Sequence, residues 1–352
     1  MIGRKRLALA AATGMGIASV AVTSGVVALA HRFVDELSRP HILPDARYNF
    51  GWKLPENVEE PPLTHQRVVL FHTRDGTLLR GTFWAQPHPA PTVVICHGYR
   101  ISCAILRPVA ALEYQHGYNI LLFDFRGHGG SESVYTSGGN VEVYDLQAAI
   151  AVASRQPETI PGKVILHGFS MGASVALMTV PHPDVVGVIA DSPYAHLDVI
   201  LRSFIHWQLT EESASWPMPL RSLRRAFIPL SWATVAVSPV VFRLRFHSRL
   251  MAHPASRLKG WNRTANVTSG IPLPPILLIH GTHDAFVPIR HAHMIAAQAQ
   301  THHIPLETYF TEGSMHCNSY GDYPDQYIEK LQRFAEHCLG DDFPRKNYPL
   351  SA

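Results

Sequence analysis

From residue 65 onward the chain alternates two rhythms: short apolar runs rich in β-formers, and longer stretches with apolar residues at helical spacing. "QRVVLFHT" and "LLRGTFWAQ", on either side of Asp75-Gly76, predict an opening hairpin. Further strands are predicted at "TVVIC" (92–96), "NILLFDF" (119–125), "KVILHG" (163–168), "VVGVIA" (185–190), "PILLIHG" (275–281) and "LETYF" (306–310), with helical patterns between most of them and a final helix in "YPDQYIEKLQRFAEHCL". Apolar strands that do not alternate with polar residues, separated by helices, imply a parallel sheet covered on both faces. The expected class is α/β.

The pattern breaks in three places. After Arg4-Lys5-Arg6 no charge occurs from Leu7 to Ala30; as a helix that run is about 36 Å long, enough for a hydrocarbon core of about 30 Å. It reads as a transmembrane anchor or as a signal cleaved after "ALA" at 28–30, and the basic cluster ahead of it keeps the leading end cytoplasmic and sends the rest across. Residues 31–64, with prolines at 40, 44, 55, 61 and 62, read as a linker. Between "ADSPY" and "PPILLIHG" lie about 80 residues, far more than one crossover needs. This insertion, about 194–260, carries seven arginines between Arg202 and Arg249 and an apolar stretch from Phe227 to Phe242 broken by Pro229 and Pro239. It is expected to be a helical cap, with Phe204, Trp207 and Trp232 as candidate pocket walls, and its basic, apolar character suits an anionic membrane surface. A domain of catalytic size over 65–340 and a tail over 341–352 complete the organisation.

With 46% hydrophobic and 16% charged residues the chain can bury a large core. A net charge of +3, with no Lys/Arg run long enough to follow phosphates, excludes nucleic acid as the expected partner. Cys96, Cys103, Cys317 and Cys338 have neither zinc-site spacing nor disulfide-scaffold density; a Cys96–Cys103 bridge in an oxidising compartment stays open. Despite 22 histidines no ligand spacing stands out, His291-x-His293 and His302-His303 reading as exposed helix and loop residues, and no metal or other cofactor is expected. Asn262 and Asn266 begin glycosylation sequons.

Ligands of a parallel sheet gather beyond its carboxyl strand ends. Here those ends carry "HGYR", "RGHGGS", "GFSMG", "DSP" and "GTHDAFVP". In "GFSMG", a strand breaks into a helix with Ser170 between Gly168 and Gly172. A serine on such a turn is held in strained geometry with its hydroxyl exposed, the glycines admit the close approach of strand and helix, and the helix end from Met171 offers free N–H groups to a developing oxyanion. Ser170 is therefore the candidate nucleophile. It needs a base and an orienting acid, which follow in the order acid then His: Asp284 in "HGTHDAFVP" and His316 in "EGSMHC". Asp191, which also ends a strand, is the rival acid, with a helix-start role at Ser192-Pro193 as the alternative.

"HGYR", "DFRGHGGS", "GFSMG", "HGTHDAFVP" and "GSMHC", in this order, resemble the motifs of the α/β-hydrolase family over about 65–340, in particular bacterial membrane-anchored serine hydrolases of the serine aminopeptidase-like or esterase type. The resemblance implies a catalytic triad of Ser170, Asp284 and His316, and an oxyanion hole from the backbone N–H groups of Tyr99 and Met171. It also implies that His97 and Gly98 shape the turn, and that Asp124 and Arg126 tie loops beneath the site. Gly127, Gly129 and Gly130 do not form a dinucleotide fingerprint, because Glu132 stands where the third glycine belongs. The expected function is hydrolysis of an ester, thioester or peptide-like acyl bond in a small or lipid-like substrate. Acyl transfer on the same residues, or a non-catalytic binding protein, are the rivals; the latter is expected to lose a motif residue, and none is missing.

Overall fold

The computed structural model describes residues 20, 22–40, 58–202, 218–260 and 271–340, the side chains of 218–227 excepted. Eight strands form one sheet: β1 (Gln66–His72), β2 (Leu78–Trp84), β3 (Ala90–Cys96), β4 (Asn119–Phe123), β5 (Thr159–Phe169), β6 (Val185–Asp191), β7 (Ile276–Gly281) and β8 (Leu306–Thr311). Their order is β1-β2-β4-β3-β5-β6-β7-β8. The predicted hairpin is present, pairing Gln66 with Trp84 through His72 with Leu78, and β2 joins β4 antiparallel. All other neighbours are parallel.

β3, β4 and β7 are buried along their whole length, as their unbroken apolar sequences require. Helices α2 (Arg107–Gln115), α3 (Glu142–Ser154), α4 (Met171–Thr179), α6 (Arg290–Thr301) and α7 (Pro324–Leu339) connect or follow them. Here α1 denotes residues 22–38 and α5 Met218–Phe246. On one face Leu112 of α2 and Ile328, Leu331 and Phe334 of α7 share a core with Val93, Ile95, Ile165, Ile189 and Leu277 of the sheet.

Two of the strand ends that differ from the sequence pattern have an evident cause. β5 begins at Thr159 rather than Lys163, because pairing resumes ahead of Pro161-Gly162 after a register shift. There Thr92 and Thr159 share a 2.7 Å hydroxyl contact, and Asn119 Nδ2 donates to the Glu158 carbonyl. β4 ends at Phe123 rather than Phe125, because the Asp124 carboxylate turns the chain by accepting from the backbone N–H groups of Cys103 (2.7 Å) and Gly130 (2.8 Å).

The chain divides into two compact units: residues 39–197 with 251–352, which hold the whole sheet, and residues 1–38 with 198–250. The second differs from the expected cap of 194–260 by including the N-terminal segment. The linker expected from residue 31 is still helical to Ser38, because α1 buries Val26, Ala30, Val34 and Ser38 at four-residue spacing. An Arg245–Asp35 ion pair of 2.5 Å joins α5 to α1. α5 keeps Pro229 and Pro239 within its span, and Trp232 is 49% exposed on it. Among the described residues no helix is long and apolar enough to cross a membrane; most of the run from Leu7 to Ala30, Phe204, Trp207, both sequons and the tail from 341 lie outside them.

The hairpin turn is fastened to the sheet domain by Arg126, which is almost fully buried. Its guanidinium donates to both Asp75 oxygens (2.7 and 2.9 Å) and to Asp145 (2.8 Å), while its backbone N–H reaches the other Asp145 oxygen (3.0 Å). Burial works against the Asp75 carboxylate, but Arg126 outweighs it and holds the group down at about 2. Removing one partner of a buried pair strands the other, at a cost of about 3–5 kcal/mol. Arg126→Met should therefore lower unfolding free energy by roughly that amount in urea titration, with Asp145, which is fully buried, left without its cation.

Candidate active site

The site is built outward from the β5–α4 turn. Ser170 has φ +52° and ψ −111°, a conformation non-glycine residues avoid. It is held by its neighbours: its N–H donates to the Asp191 carbonyl on β6 (2.9 Å), and its own carbonyl accepts from Ser174 to open α4 (3.0 Å). The flanking glycines are required by contact. A Cβ on Gly172 would lie 2.2 Å from the Cys96 carbonyl oxygen, and one on Gly168 2.5 Å from the Ala173 nitrogen. The close approach inferred from sequence is the observed geometry.

His316 Nε2 lies 2.9 Å from Ser170 Oγ, and His316 Nδ1 lies 2.6 Å from Asp284 Oδ2. Three residues from three separate strand-end loops thus form one hydrogen-bonded chain. The loops of Asp284 and His316 meet because β7 ends in glycine: a Cβ on Gly281 would fall 2.2 Å from the Ser314 carbonyl oxygen, and His283 N–H donates to that carbonyl. The other Asp284 oxygen accepts from the N–H groups of Phe286 (2.9 Å) and Val287 (2.7 Å). One carboxylate therefore serves both as turn former and as imidazole partner. Buried His280 supports this loop by donating from Nε2 to the Val287 carbonyl (2.7 Å).

Burial alone would lower the proton affinity of His316, but Cys317 and Asp284 beside it raise it well above the ordinary histidine value. The Cys317 thiol is itself pushed up by burial and stays neutral, so Asp284 is the charge that holds the imidazolium. With Oγ–H donating to Nε2, the arrangement can accept the serine proton and stabilise the cation that results.

Asp191 does not occupy the acid position. Its oxygens accept from Ser192 Oγ (2.9 Å) and the Tyr327 hydroxyl (3.0 Å), and burial pushes it up to about 6. Ser192 Oγ in turn accepts from Cys317 N–H (3.1 Å), so Asp191 supports the histidine loop from below.

The second wall is the segment after β3. A Cβ on Gly98 would sit 3.5 Å from Ser170 Cβ, which places the Gly98–Tyr99 peptide beside the nucleophile. His97, fully buried, donates from Nδ1 to the Gly98 carbonyl (2.6 Å) and accepts the Phe125 N–H at Nε2 (3.0 Å). A trans peptide directs its N–H opposite to its carbonyl, so this bond aims the Tyr99 N–H. Met171 N–H opens α4, where first-turn donors have no intrahelical acceptor. Asp124 and Arg126 tie loops as the motif implies, but to different partners, Cys103 and Gly130 for one, Asp75 and Asp145 for the other.

Sequence reasoning missed several residues of this frame. Glu142, at the start of α3, gathers the hydroxyl and N–H groups of Ser137 and the Gly139 N–H. His167 joins Glu113 (2.7 Å) and Tyr327 (3.1 Å). None of these stands in a recognisable local motif. His291 is not an exposed helix residue: it is fully buried, and its Nδ1 accepts the Ala195 N–H (3.2 Å). All four cysteines are free thiols, so Cys96 and Cys103 are not bridged.

Comparison with known proteins agrees with this architecture. The chain is 26% identical over 260 residues to uncharacterized protein YqkD of Bacillus subtilis, covering 71% of this chain and 73% of that one. It is 31% identical over 134 residues to polyketide transferase af380 of Aspergillus fumigatus, covering 37% of this chain and 46% of that protein. Among solved structures, the esterase Pf2001 of Pyrococcus furiosus superposes with a TM-score of 0.59 at 24% identity, over 82% of this chain and 98% of the esterase. The alpha/beta hydrolase family model matches residues 93–330, a span holding every residue of the Ser170, His316 and Asp284 chain, and the protein belongs to the α/β-hydrolase family.

Proposed function

We propose that this protein is a serine hydrolase that cleaves an ester, thioester or peptide-like acyl bond through an acyl-enzyme intermediate. The observation that carries the reading is the continuous chain from Ser170 Oγ through His316 to Asp284, set on a strained turn. Ser170 Oγ attacks the acyl carbonyl carbon as His316 Nε2 takes its proton. The carbonyl π electrons move onto oxygen, and the oxyanion is received by the N–H groups of Met171 and Tyr99. Collapse expels the leaving group, protonated by His316, and a water then repeats the sequence on the acyl-enzyme. Acyl transfer to a hydroxyl or amine is the second reading, supported by the similarity to a polyketide transferase over 134 residues; product analysis with and without an added alcohol separates the two. Membership of the α/β-hydrolase family and the likeness to an esterase support the hydrolytic reading.

Ser170→Ala should abolish labelling by a fluorophosphonate while circular dichroism stays that of the parent; labelling at the parent rate would move the nucleophile elsewhere. Asp284→Asn should lower kcat by roughly 10⁴-fold, as when a triad acid becomes its amide, whereas Asp191→Asn should leave more than a tenth of the activity. The pH profile carries a sign. Because His316 acts as a neutral base and its proton affinity is raised, kcat/KM should be lost as pH falls through a midpoint above the ordinary histidine value. In Asp284→Asn the counter-charge is gone and burial remains, so the midpoint of the residual activity should move to lower pH.

We further propose that the run from Leu7 to Ala30 anchors the enzyme, with Arg4, Lys5 and Arg6 cytoplasmic and the site on the opposite side. Full-length protein should stay in the membrane pellet after alkaline carbonate washing. Release to the supernatant with a chain beginning at His31 would make it a secreted enzyme instead.

A further inference from the structure

The peptide after Tyr99 has its own clamp. His128 lies in the loop that follows β4 and is 1% exposed. Its Nδ1–H donates to the Arg126 carbonyl (2.8 Å), which fixes the tautomer and leaves Nε2 as an acceptor. Nε2 receives the backbone N–H of Arg100 at 3.2 Å. Burial, with His97 alongside, pulls His128 down to about 4, so the ring is neutral and keeps that acceptor at ordinary pH. The ring centroid lies 5.1 Å from that of His97 and 5.9 Å, edge-on, from that of Tyr99.

Arg100 has φ +65°, in the left-handed region that a side chain disfavours. The torsions at Tyr99 are set by the two peptide planes that meet at its Cα. His97 holds the first plane through the Gly98 carbonyl; His128 holds the second through the Arg100 N–H. With that bond removed, the Tyr99–Arg100 plane can rotate and let Arg100 leave its strained φ; because the two planes share Tyr99 Cα, the Gly98–Tyr99 plane that carries the Tyr99 N–H is displaced through it.

We infer that His128 is a positioning residue for the oxyanion-binding segment, fixing the Tyr99–Arg100 peptide and, through the shared Tyr99 Cα, steadying the Gly98–Tyr99 peptide whose Tyr99 N–H faces the reacting carbonyl oxygen. This rests on the reading of Tyr99 as an oxyanion donor. His128 touches no reacting atom; it acts through the backbone it holds.

The test uses full-length enzyme, a p-nitrophenyl ester of a short acyl chain, and the trifluoromethyl ketone of the same chain. The ketone carbon bonds to Ser170 Oγ, the carbonyl electrons become an oxyanion, and the serine proton passes to His316, so its affinity reports the oxyanion donors directly. Active sites are counted by fluorophosphonate labelling to completion, which removes any misfolded fraction. Deleting a whole donor costs about 10²–10³-fold in kcat, so loosening one by His128→Phe should cost roughly 10–100-fold. KM should change less than about twofold, and the Ki of the ketone should rise by the same factor as kcat/KM falls. His128→Gln, which can offer an amide oxygen to Arg100, should recover most of the loss. A His128→Phe enzyme with parent kcat and ketone affinity, one in which only KM moves, or a glutamine variant no better than phenylalanine would overturn the assignment. His97→Phe separates the two layers: if it weakens the ketone while His128→Phe does not, the donor reading stands and the His128 role fails. If neither weakens it, Tyr99 is not an oxyanion donor and both fail.

Discussion

The site depends on how closely α4 can approach the end of β3. Only a hydrogen at position 172 fits against the Cys96 carbonyl, and only a hydrogen at 168 fits against the first turn of α4. That contact fixes the axis of the helix relative to the sheet, and so where its first N–H groups point. It also forces Ser170 into a backbone conformation that the Asp191 carbonyl and the helix hydrogen bond must hold. Ser170 is half-buried there, with its hydroxyl turned to His316. A similar close contact, Gly281 against Ser314, brings the acid and histidine loops together.

Around this frame the buried polar groups divide by charge. His97, His128, His280 and His291 are all pulled below the ordinary histidine value by burial. Each uses a ring nitrogen as a fixed partner for a backbone N–H or carbonyl, work that a neutral tautomer does well. His316 differs in donating directly to a carboxylate, at 2.6 Å from Asp284 against 3.4 Å for His280 and 3.9 Å from Asp124 for His97, and its shift runs the other way. Arg126 is the counterpart among the charged groups, a buried cation divided between two acids. The loops that end the strands are therefore held by specific hydrogen bonds where apolar packing alone would leave them loose.

The smaller unit follows different rules. α1 is helical well beyond the uncharged run because its buried positions recur every four residues, and Asp35 meets Arg245 of α5. That exposed ion pair contributes little, about 0–1 kcal/mol, whereas Val26, Ala30 and Val34 are buried.

The sequence by itself determined the strand-and-helix alternation, the turn at Ser170, the need for Gly168 and Gly172, and Ser170 and His316 as members of the hydrogen-bonded chain. Each rests on local signals: continuous apolar runs, glycines at fixed offsets, polar residues at strand ends. It left Asp191 and Asp284 both eligible, since both follow strands near the nucleophile. Only the tertiary structure decided between them, because the choice depends on which loop crosses to His316, and that is set by sheet order and by the Gly281 contact. The same holds for the His128–Arg100 bond and the His167–Tyr327 link, whose partners lie far along the chain in sequence and meet only after the strands pair. β5 extends back past Pro161-Gly162 to Thr159, beyond the apolar run that begins at Lys163, because Thr159 finds Thr92 on the neighbouring strand. Hydrophobic period and turn chemistry are written in consecutive residues; hydrogen-bond partners across loops exist only once the sheet has brought them within three ångströms.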